Sequence, residues 1–373
     1  MTTHLSAPVQ PTTDSARPTS IDTVVIGGGQ AGLAMGYHLR RTGRPFVILD
    51  ADQRIGDCWR RRYDSLRLFS LPAYASLPGW AIPVRDYATR DQFADYLEAY
   101  ARRFELPVRC GERVSSVIHE GERFLVTSTS GSFLADNVVV ATGAHQRPSV
   151  PALAADLDPS IRQLTSSEYR NPDQFAPGPV LIVGAGNSGT DVALDAAAAG
   201  HQVRIAGRHP GQVPFDIDTR SGRLAVPLVM FVFRHVLTIR TPMGRRARAG
   251  AEAGHGVNLV RNKLADLDAA GIEQIGRIER VVDGRPACED GRPLDVSTVV
   301  WCTGSSADHR FLELPVFDEH GRPRHERGVS SVPGLMFLGL HFQYALASEQ
   351  IQGVGRDARY LTRHLRPVRR VAA

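Results

Sequence analysis

Two glycine-rich segments, each followed by a helix-forming run, constrain the fold of this chain more than any other feature. The first follows the apolar run DTVVI at residues 22–26 and reads GGGQAG, with glycines at Gly27, Gly29 and Gly32. The run LAMGYHLRRTG comes next, with apolar side chains at helical spacing, and a second apolar run, PFVILD, ends at Asp50. This order of strand, glycine turn, helix and strand predicts a βαβ unit that binds a dinucleotide, with Asp50 accepting hydrogen bonds from the ribose.

Each residue of this first loop has a physical task in the predicted unit. Gly27 permits the tight turn, Gly29 lets the backbone approach a pyrophosphate, and Gly32 allows close packing of helix on strand. Gln30 and Ala31 complete the motif at the helix N-terminus, where free N–H groups and the positive end of the helix dipole favour a phosphate.

The same unit recurs in the middle of the chain. The apolar run PVLIV at residues 179–183 leads into GAGNSG, a helix-forming run and the strand-forming run QVRIA. Its predicted cofactor-binding residues are Gly184, Gly186, Asn187, Ser188 and Gly189. No acid follows the second strand, and Arg208 stands there instead. An arginine suits a 2′-phosphate through charge-assisted hydrogen bonds, so the second loop favours NADPH over NADH, although a solvated surface arginine is the alternative interpretation.

Two such loops predict an α/β fold of two nested Rossmann-type dinucleotide-binding domains, one for FAD and one for NADP, built as three-layer sheet sandwiches. Short alternating runs before residue 135 add a small antiparallel meander. Strand-forming runs that end in Thr142-Gly143 and in Thr303-Gly304 mark the two crossings between domains. The predicted segments are a disordered tail at 1–20, an FAD-binding part at 21–150, an NADP-binding domain at 151–315 with a helical insertion around 211–265, and a second FAD-binding part at 316–373.

Composition excludes several other classes of protein. The net charge is +5, and the arginines are scattered through both halves rather than clustered as a nucleic-acid binder would need. The four cysteines, Cys58, Cys110, Cys288 and Cys302, form no C-x-x-C pair and no zinc pattern. We therefore predict free thiols in the cytoplasm, no metal site and no redox disulfide.

No apolar stretch is long enough to cross a membrane. The longest candidate, residues 225–237, is interrupted by Arg234 and predicts a buried helix of the second domain. A lining for an apolar substrate channel and a weak interfacial anchor are the alternatives for this run.

The chain after residue 20 resembles the class B flavin-containing monooxygenases, and within them the small bacterial and YUCCA-like branch. The segments that carry the resemblance are IGGGQAGLAMGYHL, RIGDCWRRRYDSLRLFSLPAYASLPG, VVVATG, SSEYRNPDQFAPGPVLIVGAGNSGTD, VVWCTG and VPGLMFLGLHFQYALASEQIQGVGRDA. This resemblance implies FAD at the first loop and NADPH at the second.

The resemblance also implies roles for single residues. Gly56 and Trp59 stand where the family's chain passes beside the flavin, and Ser70 falls near a flavin-facing polar position. Thr142 and Gly143 belong to the matching VVVATG segment. Residues 348–354 resemble a helix start that points N–H groups at the flavin pyrimidine, which assigns Gln350 and Ile351 to the cofactor.

One segment departs from the family pattern F-x-G-x-x-x-H-x-x-x-[YFW]. When the last position of the pattern is aligned on Tyr169, this sequence has Pro159 in place of the first phenylalanine, Ile161 in place of the glycine and Thr165 in place of the histidine. Only the last aromatic is present. The related Baeyer–Villiger enzymes respond to NADP binding through this segment, so the departure bears on coupling and on substrate type.

The resemblance implies an NADPH-reduced, FAD-dependent monooxygenase. It would insert one oxygen atom into a small-molecule substrate, at a nitrogen, sulfur or carbonyl centre, through a C4a-(hydro)peroxyflavin. The partners are therefore the substrate and O2, and the oligomeric state is open, with a homodimer as one option. The alternatives are an FAD reductase that passes electrons to another acceptor, and a cofactor-binding protein without turnover. No catalytic acid or base is assigned, since the sequence favours packing or solvated roles for His145, His341 and Tyr344.

Overall fold

The computed structural model describes residues 17–214, 219–252 and 258–369. Within these residues the strands are β1 (Thr19–Ile26), β2 (Phe46–Leu49), β3 (Val108–Arg109), β4 (Val114–Glu120), β5 (Arg123–Ser128), β6 (Gly131–Val140), β7 (Arg147–Pro148), β8 (Arg162–Thr165), β9 (Val180–Val183), β10 (Val203–Ala206), β11 (Glu273–Ile275), β12 (Ile278–Val282), β13 (Arg285–Cys288), β14 (Thr298–Trp301), β15 (Ser305–Ser306), β16 (His325–Glu326), β17 (Val329–Ser330) and β18 (Leu335–Phe337). The α-helices are α1 (Gln30–Arg41), α2 (Asp57–Arg60), α3 (Arg90–Arg103), α4 (Asn187–Ala198), α5 (Arg220–Phe231), α6 (Pro242–Glu252), α7 (Leu264–Ala269) and α8 (Ile351–Leu361).

The first sheet carries the N-terminal glycine loop. Its strand order is β16-β17-β18-β6-β1-β2-β3, and β1 runs parallel to both β6 and β2. The predicted tail at 1–20 extends too far, because β1 already begins at Thr19. Residues 1–16 lie outside the described part of the chain. The antiparallel strands β4, β5 and β6 form the predicted meander.

The second sheet is made of five parallel strands in the order β11-β10-β9-β14-β8. All five come from the chain between β6 and β16, so this unit is inserted into the first one, and the prediction of two nested Rossmann-type units is confirmed. The short antiparallel pair of β7 and β15 joins the outgoing and returning crossings. The exact domain boundaries stay a prediction.

Both faces of each sheet are covered, which explains why the central strands contain continuous buried apolar runs, at residues 24–26 of β1, 138–140 of β6 and 180–183 of β9. On one face of the first sheet α1, α3 and α8 pack around Leu33, Phe93 and Val354, all of them fully buried. The meander covers the other face around Phe124 and Phe337. In the second sheet, α4 and α7 lie on one face, and the hairpin of β12 and β13 with a 3-10 turn at Ala152–Asp156 lies on the other.

The prediction of a buried helix at residues 225–237 is wrong for one face of that helix. Leu224, Leu228 and Phe231 on α5 are 83%, 67% and 55% exposed, whereas Val226 and Met230 pack against a small cluster with the first domain. The run is apolar on both sides, but the described residues cover only one of them. No helix in the described part of the chain is long and apolar enough to cross a membrane.

Candidate functional site

The first glycine loop joins β1 to α1 and leaves its backbone open to a ligand. Gly27 has a φ of +107°, which an L side chain rarely adopts, and a Cβ there would lie 2.6 Å from the carbonyl oxygen of Ala141. Gly29 caps α1, and no heavy atom stands within 4 Å of where its Cβ would be. The loop can therefore receive a phosphate at the helix N-terminus, as the sequence predicts.

Asp50 closes this loop from the end of β2. Its Oδ2 accepts a hydrogen bond from the Gly28 N–H at 2.8 Å, and its Oδ1 accepts one from the Asp52 N–H at 2.9 Å. Burial raises the pKa of Asp50 above its ordinary value, and these two hydrogen bonds act against that shift. The predicted ribose acceptor thus also fixes the loop, a role that spacing alone did not indicate.

A cavity of about 830 Å³, here called the loop-1 cavity, lies beside these residues. The predicted residues that line it are Gly27, Gly29, Gln30, Ala31, Asp50, Trp59, Thr142 and Gly143. Trp59 Nε1 donates to Gln30 Oε1 at 3.3 Å, so α2 is held against the start of α1. The Thr142 Oγ1 atom is buried and has no partner among the described residues, which suits a site that a polar ligand completes.

The second loop repeats the geometry of the first between β9 and α4. Gly184 has a φ of +113°, and a Cβ there would lie 2.3 Å from the carbonyl oxygen of Cys302. Gly186 caps α4 with open space around it. Asn187 anchors the segment before α7, because its Oδ1 accepts a hydrogen bond from the Val260 N–H at 3.2 Å.

A second cavity of about 1400 Å³, here called the loop-2 cavity, lies along this loop. Among the predicted residues, it is lined by Gly184, Gly186, Asn187, Ser188 and Arg208. Arg208 is exposed and forms no ion pair within the described residues, so its guanidinium is available to a phosphate. Gly32 and Gly189 line neither cavity and instead bring each helix onto its own loop.

The two cavities adjoin, so both loops open onto one shared space. The residues that line both are Arg62, Ala144, His145, Gln146, Ser167 and Glu349. A cofactor extended from each loop would therefore reach the same junction, where two reactive rings could meet.

Comparison with known proteins also indicates an oxidoreductase that binds dinucleotide cofactors. The family model described as pyridine nucleotide-disulphide oxidoreductase matches residues 24–222, more than half of the chain. A CzcO-like oxidoreductase of Geobacillus kaustophilus is 38% identical over 91% of this chain and 97% of its own length. A variant of a flavin monooxygenase from Stenotrophomonas maltophilia has 29% identity and a TM-score of 0.76, covering 92% of this chain and 98% of its own.

The chain belongs to the class B flavin-containing monooxygenase family. The probable indole-3-pyruvate monooxygenase YUCCA9 of Arabidopsis thaliana is a further relative, 33% identical over 81% of this chain and 79% of its own length. The protein is thus an oxidoreductase that uses FAD and NADPH, and the predictions of family, enzyme class and cofactors are confirmed.

Four residues that the family resemblance assigned to the flavin line neither cavity. They are Gly56, Ser70, Gln350 and Ile351. Gly56 has a φ of +88° and lies against the backbone of Ala94, so its role here is to start α2. Ser70 is buried at 7% exposure.

At the start of α8, the residue that lines the cavities is not one of the two that the resemblance assigned to the cofactor. A 3-10 turn at Leu346–Glu349 precedes the helix, and it places Glu349 rather than Gln350 at the junction of the two cavities. Gln350 accepts a hydrogen bond from Gln352 instead. Glu349 lies within the segment 348–354 that the resemblance marks, but the resemblance assigns it no role, and only the fold brings it to the junction.

The segment that departs from the family pattern forms part of the second domain's core. Tyr169 is fully buried, stacks on Phe175 with ring centroids 5.3 Å apart, and donates to Asp195 at 3.2 Å. Thr165 ends β8, where Glu168 accepts a hydrogen bond from its N–H at 2.8 Å. The aromatic position that matches the family pattern therefore has a packing role in this chain.

All four cysteines of this family member are free thiols. Burial raises the pKa of Cys302 to about 12, so its thiol is not a nucleophile near neutral pH. The disulphide in the description of the matching family model therefore has no counterpart among the described residues.

Proposed function

We propose that this protein is an NADPH-reduced, FAD-dependent monooxygenase that inserts one atom of O2 into a small-molecule substrate. The observation that carries the proposal is the junction of the two cavities, since hydride transfer needs the flavin and nicotinamide rings in contact. The substrate centre is a nitrogen, a sulfur or a reactive carbonyl, all of which accept oxygen from an activated flavin. A cytoplasmic location and a homodimer stay predictions.

In this proposal the chain binds and orients two cofactors. Gly27, Gly29 and the N-terminus of α1 hold the FAD pyrophosphate, and Trp59 lies beside the rest of the cofactor. When bound, FAD supplies hydride acceptance and oxygen activation, chemistry that no side chain of the protein provides.

The second loop holds NADPH in the same way. Gly184, Gly186 and the N-terminus of α4 take its pyrophosphate, and Arg208 takes the 2′-phosphate.

The deciding experiment mixes purified protein with NADPH in the absence of oxygen, then admits air and a candidate substrate. The proposal predicts bleaching of the visible flavin band, followed by oxygen consumption in proportion to the oxygenated product. Oxygen-independent transfer to an added electron acceptor, with no oxygenated product, would instead identify a reductase. A protein that binds no flavin and is not reduced by NADPH would overturn both.

A further inference from the structure

Four polar side chains from three segments of the chain lie at or beside the place where the two cavities adjoin. Nδ1 of His341 lies 2.7 Å from Oε1 of Glu349, and Nε2 of His145 lies 3.8 Å from its Oε2. On the other side of the ring, Nδ1 of His145 lies 2.9 Å from Oγ of Ser305. All four residues line the loop-2 cavity, and His145 and Glu349 line the loop-1 cavity as well. A polar path, broken by one gap of 3.8 Å between Glu349 and His145, thus leads from the loop-2 cavity to the junction.

Glu349 is the central member of this path. Its side chain is only 12% exposed, and its Oε2 atom is buried with no hydrogen-bond partner among the described residues. A buried carboxylate oxygen without a hydrogen-bond partner is costly, which marks Glu349 as a candidate functional residue. The histidines on either side are more open, at 38% for His341 and 59% for His145.

The two histidines hold protons with different strength. The hydrogen bond to Glu349 raises the pKa of His341, against the effect of burial, while Glu252 adds to the rise and Arg248 opposes it. Burial lowers the pKa of His145, Glu349 opposes this, and the charges of Arg62 and His341 lower it further. His341 therefore keeps its proton to a higher pH than His145 and is the better store of a proton. Transfer from His341 to His145 is uphill, and consumption of the proton as water forms draws it forward.

The proposed reaction needs such a proton. Its balance is substrate + O2 + NADPH + H⁺ → oxygenated substrate + NADP⁺ + H2O. Hydride transfer from the nicotinamide requires no added proton, whereas the O–O bond breaks with one oxygen atom passing to the substrate and the other leaving as water. One proton per turnover must therefore reach the junction during the oxygen half of the reaction.

We propose that His341, Glu349 and His145 form a proton relay from the loop-2 cavity to the junction of the two cavities. This proposal rests on the proposed monooxygenase function. His341 gives its Nδ1 proton to Oε1 of Glu349, Oε2 passes a proton to Nε2 of His145, and His145 delivers a proton to the oxygen atom that leaves as water. Solvent in the loop-2 cavity then reprotonates His341.

The transfer from Glu349 to His145 requires either a bridging water molecule or movement of the His145 ring. A separation of 3.8 Å is too long for a direct hydrogen bond, so one water molecule bridges Glu349 and His145 or the exposed His145 ring rotates. Ser305 is a positioning residue in this scheme, because its hydroxyl fixes the other nitrogen of the His145 ring.

The test follows the two halves of the reaction separately in Glu349→Gln and His341→Ala, with NADPH saturating. Each variant should slow the oxygen half by about 10²-fold at slightly alkaline pH, the usual size of a lost acid–base group, and slow anaerobic flavin reduction far less. Added imidazole should restore the oxygen half in His341→Ala, because the lost ring faces the open loop-2 cavity. Glu120→Gln, at the exposed end of β4, is the matched control.

A second readout needs no turnover. Titration of the histidine rings by NMR in the purified holoprotein should show His341 with a raised pKa, and Glu349→Gln should lower it. A shift in that titration together with a selective loss in the oxygen half supports the relay.

Four results would overturn the relay. The first is an unchanged His341 titration in Glu349→Gln, and the second is equal slowing of both halves, which indicates a structural role. Wild-type protein that NADPH does not reduce would remove the proposed function and the relay with it, whereas normal turnover in the variants removes the relay alone.

Discussion

Gly32 lies so close to the carbonyl oxygen of Gly27 that a Cβ atom on it would stand 1.8 Å away. The second domain repeats this contact, since a Cβ on Gly189 would stand 1.8 Å from the carbonyl oxygen of Gly184. The obstacle is backbone in both cases, so no side chain can rotate to relieve the clash. Each loop thus depends on one glycine that touches no ligand.

We expect Gly32→Ala and Gly189→Ala to destabilise the protein by about 2 kcal/mol or more, as overpacked cores do. The sign is informative, because alanine in place of glycine inside a helix otherwise stabilises by about 0.5–1 kcal/mol. Urea unfolding of both variants, followed by intrinsic fluorescence, measures the change. A variant as stable as the wild type would show that the loop backbone can move away.

Substitutions at the helix caps should impair cofactor binding more than stability. Gly29 and Gly186 have φ values of −75° and −82°, and neither has a heavy atom within 4 Å of its Cβ position. Alanine at either position should cost no more than about 1 kcal/mol of stability, the usual loss when alanine replaces a better N-cap residue. The added methyl group would, however, occupy the predicted phosphate cradle.

The two substitutions should weaken the binding of different cofactors. Gly29→Ala should weaken FAD binding and Gly186→Ala should raise the KM for NADPH, each by roughly 10- to 100-fold, the equivalent of a clash of about 1–3 kcal/mol. Flavin content and steady-state reduction kinetics report the two effects. Equal effects of both variants on one cofactor would contradict the assignment of the loops.

The parts of the site that could be predicted from the sequence are those whose residues lie close together in the chain. Both glycine loops and Asp50 fall within single βαβ units, where spacing decides the geometry. Glu349 lies in the 3-10 turn before α8 and His145 in the outgoing crossing, and only the fold brings them together. The exposed face of α5 was missed for a related reason, since an apolar run does not reveal whether anything covers it.

Arg208→Ala tests the preference of the second loop for NADPH. Loss of charge-assisted hydrogen bonds to the 2′-phosphate should raise the KM for NADPH by roughly 10- to 100-fold, and should leave the KM for NADH nearly unchanged. Arg246→Ala, on an exposed turn of α6, is the matched control. If both nicotinamide cofactors respond equally, Arg208 does not contact the 2′-phosphate.

The stability of the protein should depend on His325 at acidic pH. Burial lowers the pKa of this ring to about 4, with a smaller contribution from Arg248, whereas the unfolded chain has a histidine pKa of about 6.5. The unfolded state therefore binds more protons between these values, and the free energy of unfolding decreases as the pH falls from about 6.5 to about 4.

His325→Asn should flatten that dependence, because it removes the titrating ring. Its side-chain oxygen can still accept the hydrogen bond that the Gly328 N–H donates to His325 at 3.1 Å. Urea unfolding at several pH values measures the slopes, with His119→Asn on the exposed end of β4 as the control. Parallel slopes for wild type and His325→Asn would show that other groups cause the acid sensitivity.

Replacement of all four cysteines by alanine separates a monooxygenase from a thiol-dependent reductase. The thiols are free, and burial with the nearby Asp191 carboxylate raises the pKa of Cys302, so none is expected to carry electrons. The variant should reduce its flavin with NADPH and consume oxygen at rates within about threefold of wild type, because no reactive group is lost. Thermal unfolding of the variant measures any stability lost to the small cavity that the missing Cys302 sulfur leaves beside Gly189. Loss of substrate-dependent oxygen consumption in a variant that still folds and binds FAD would mean that a thiol takes part in the reaction.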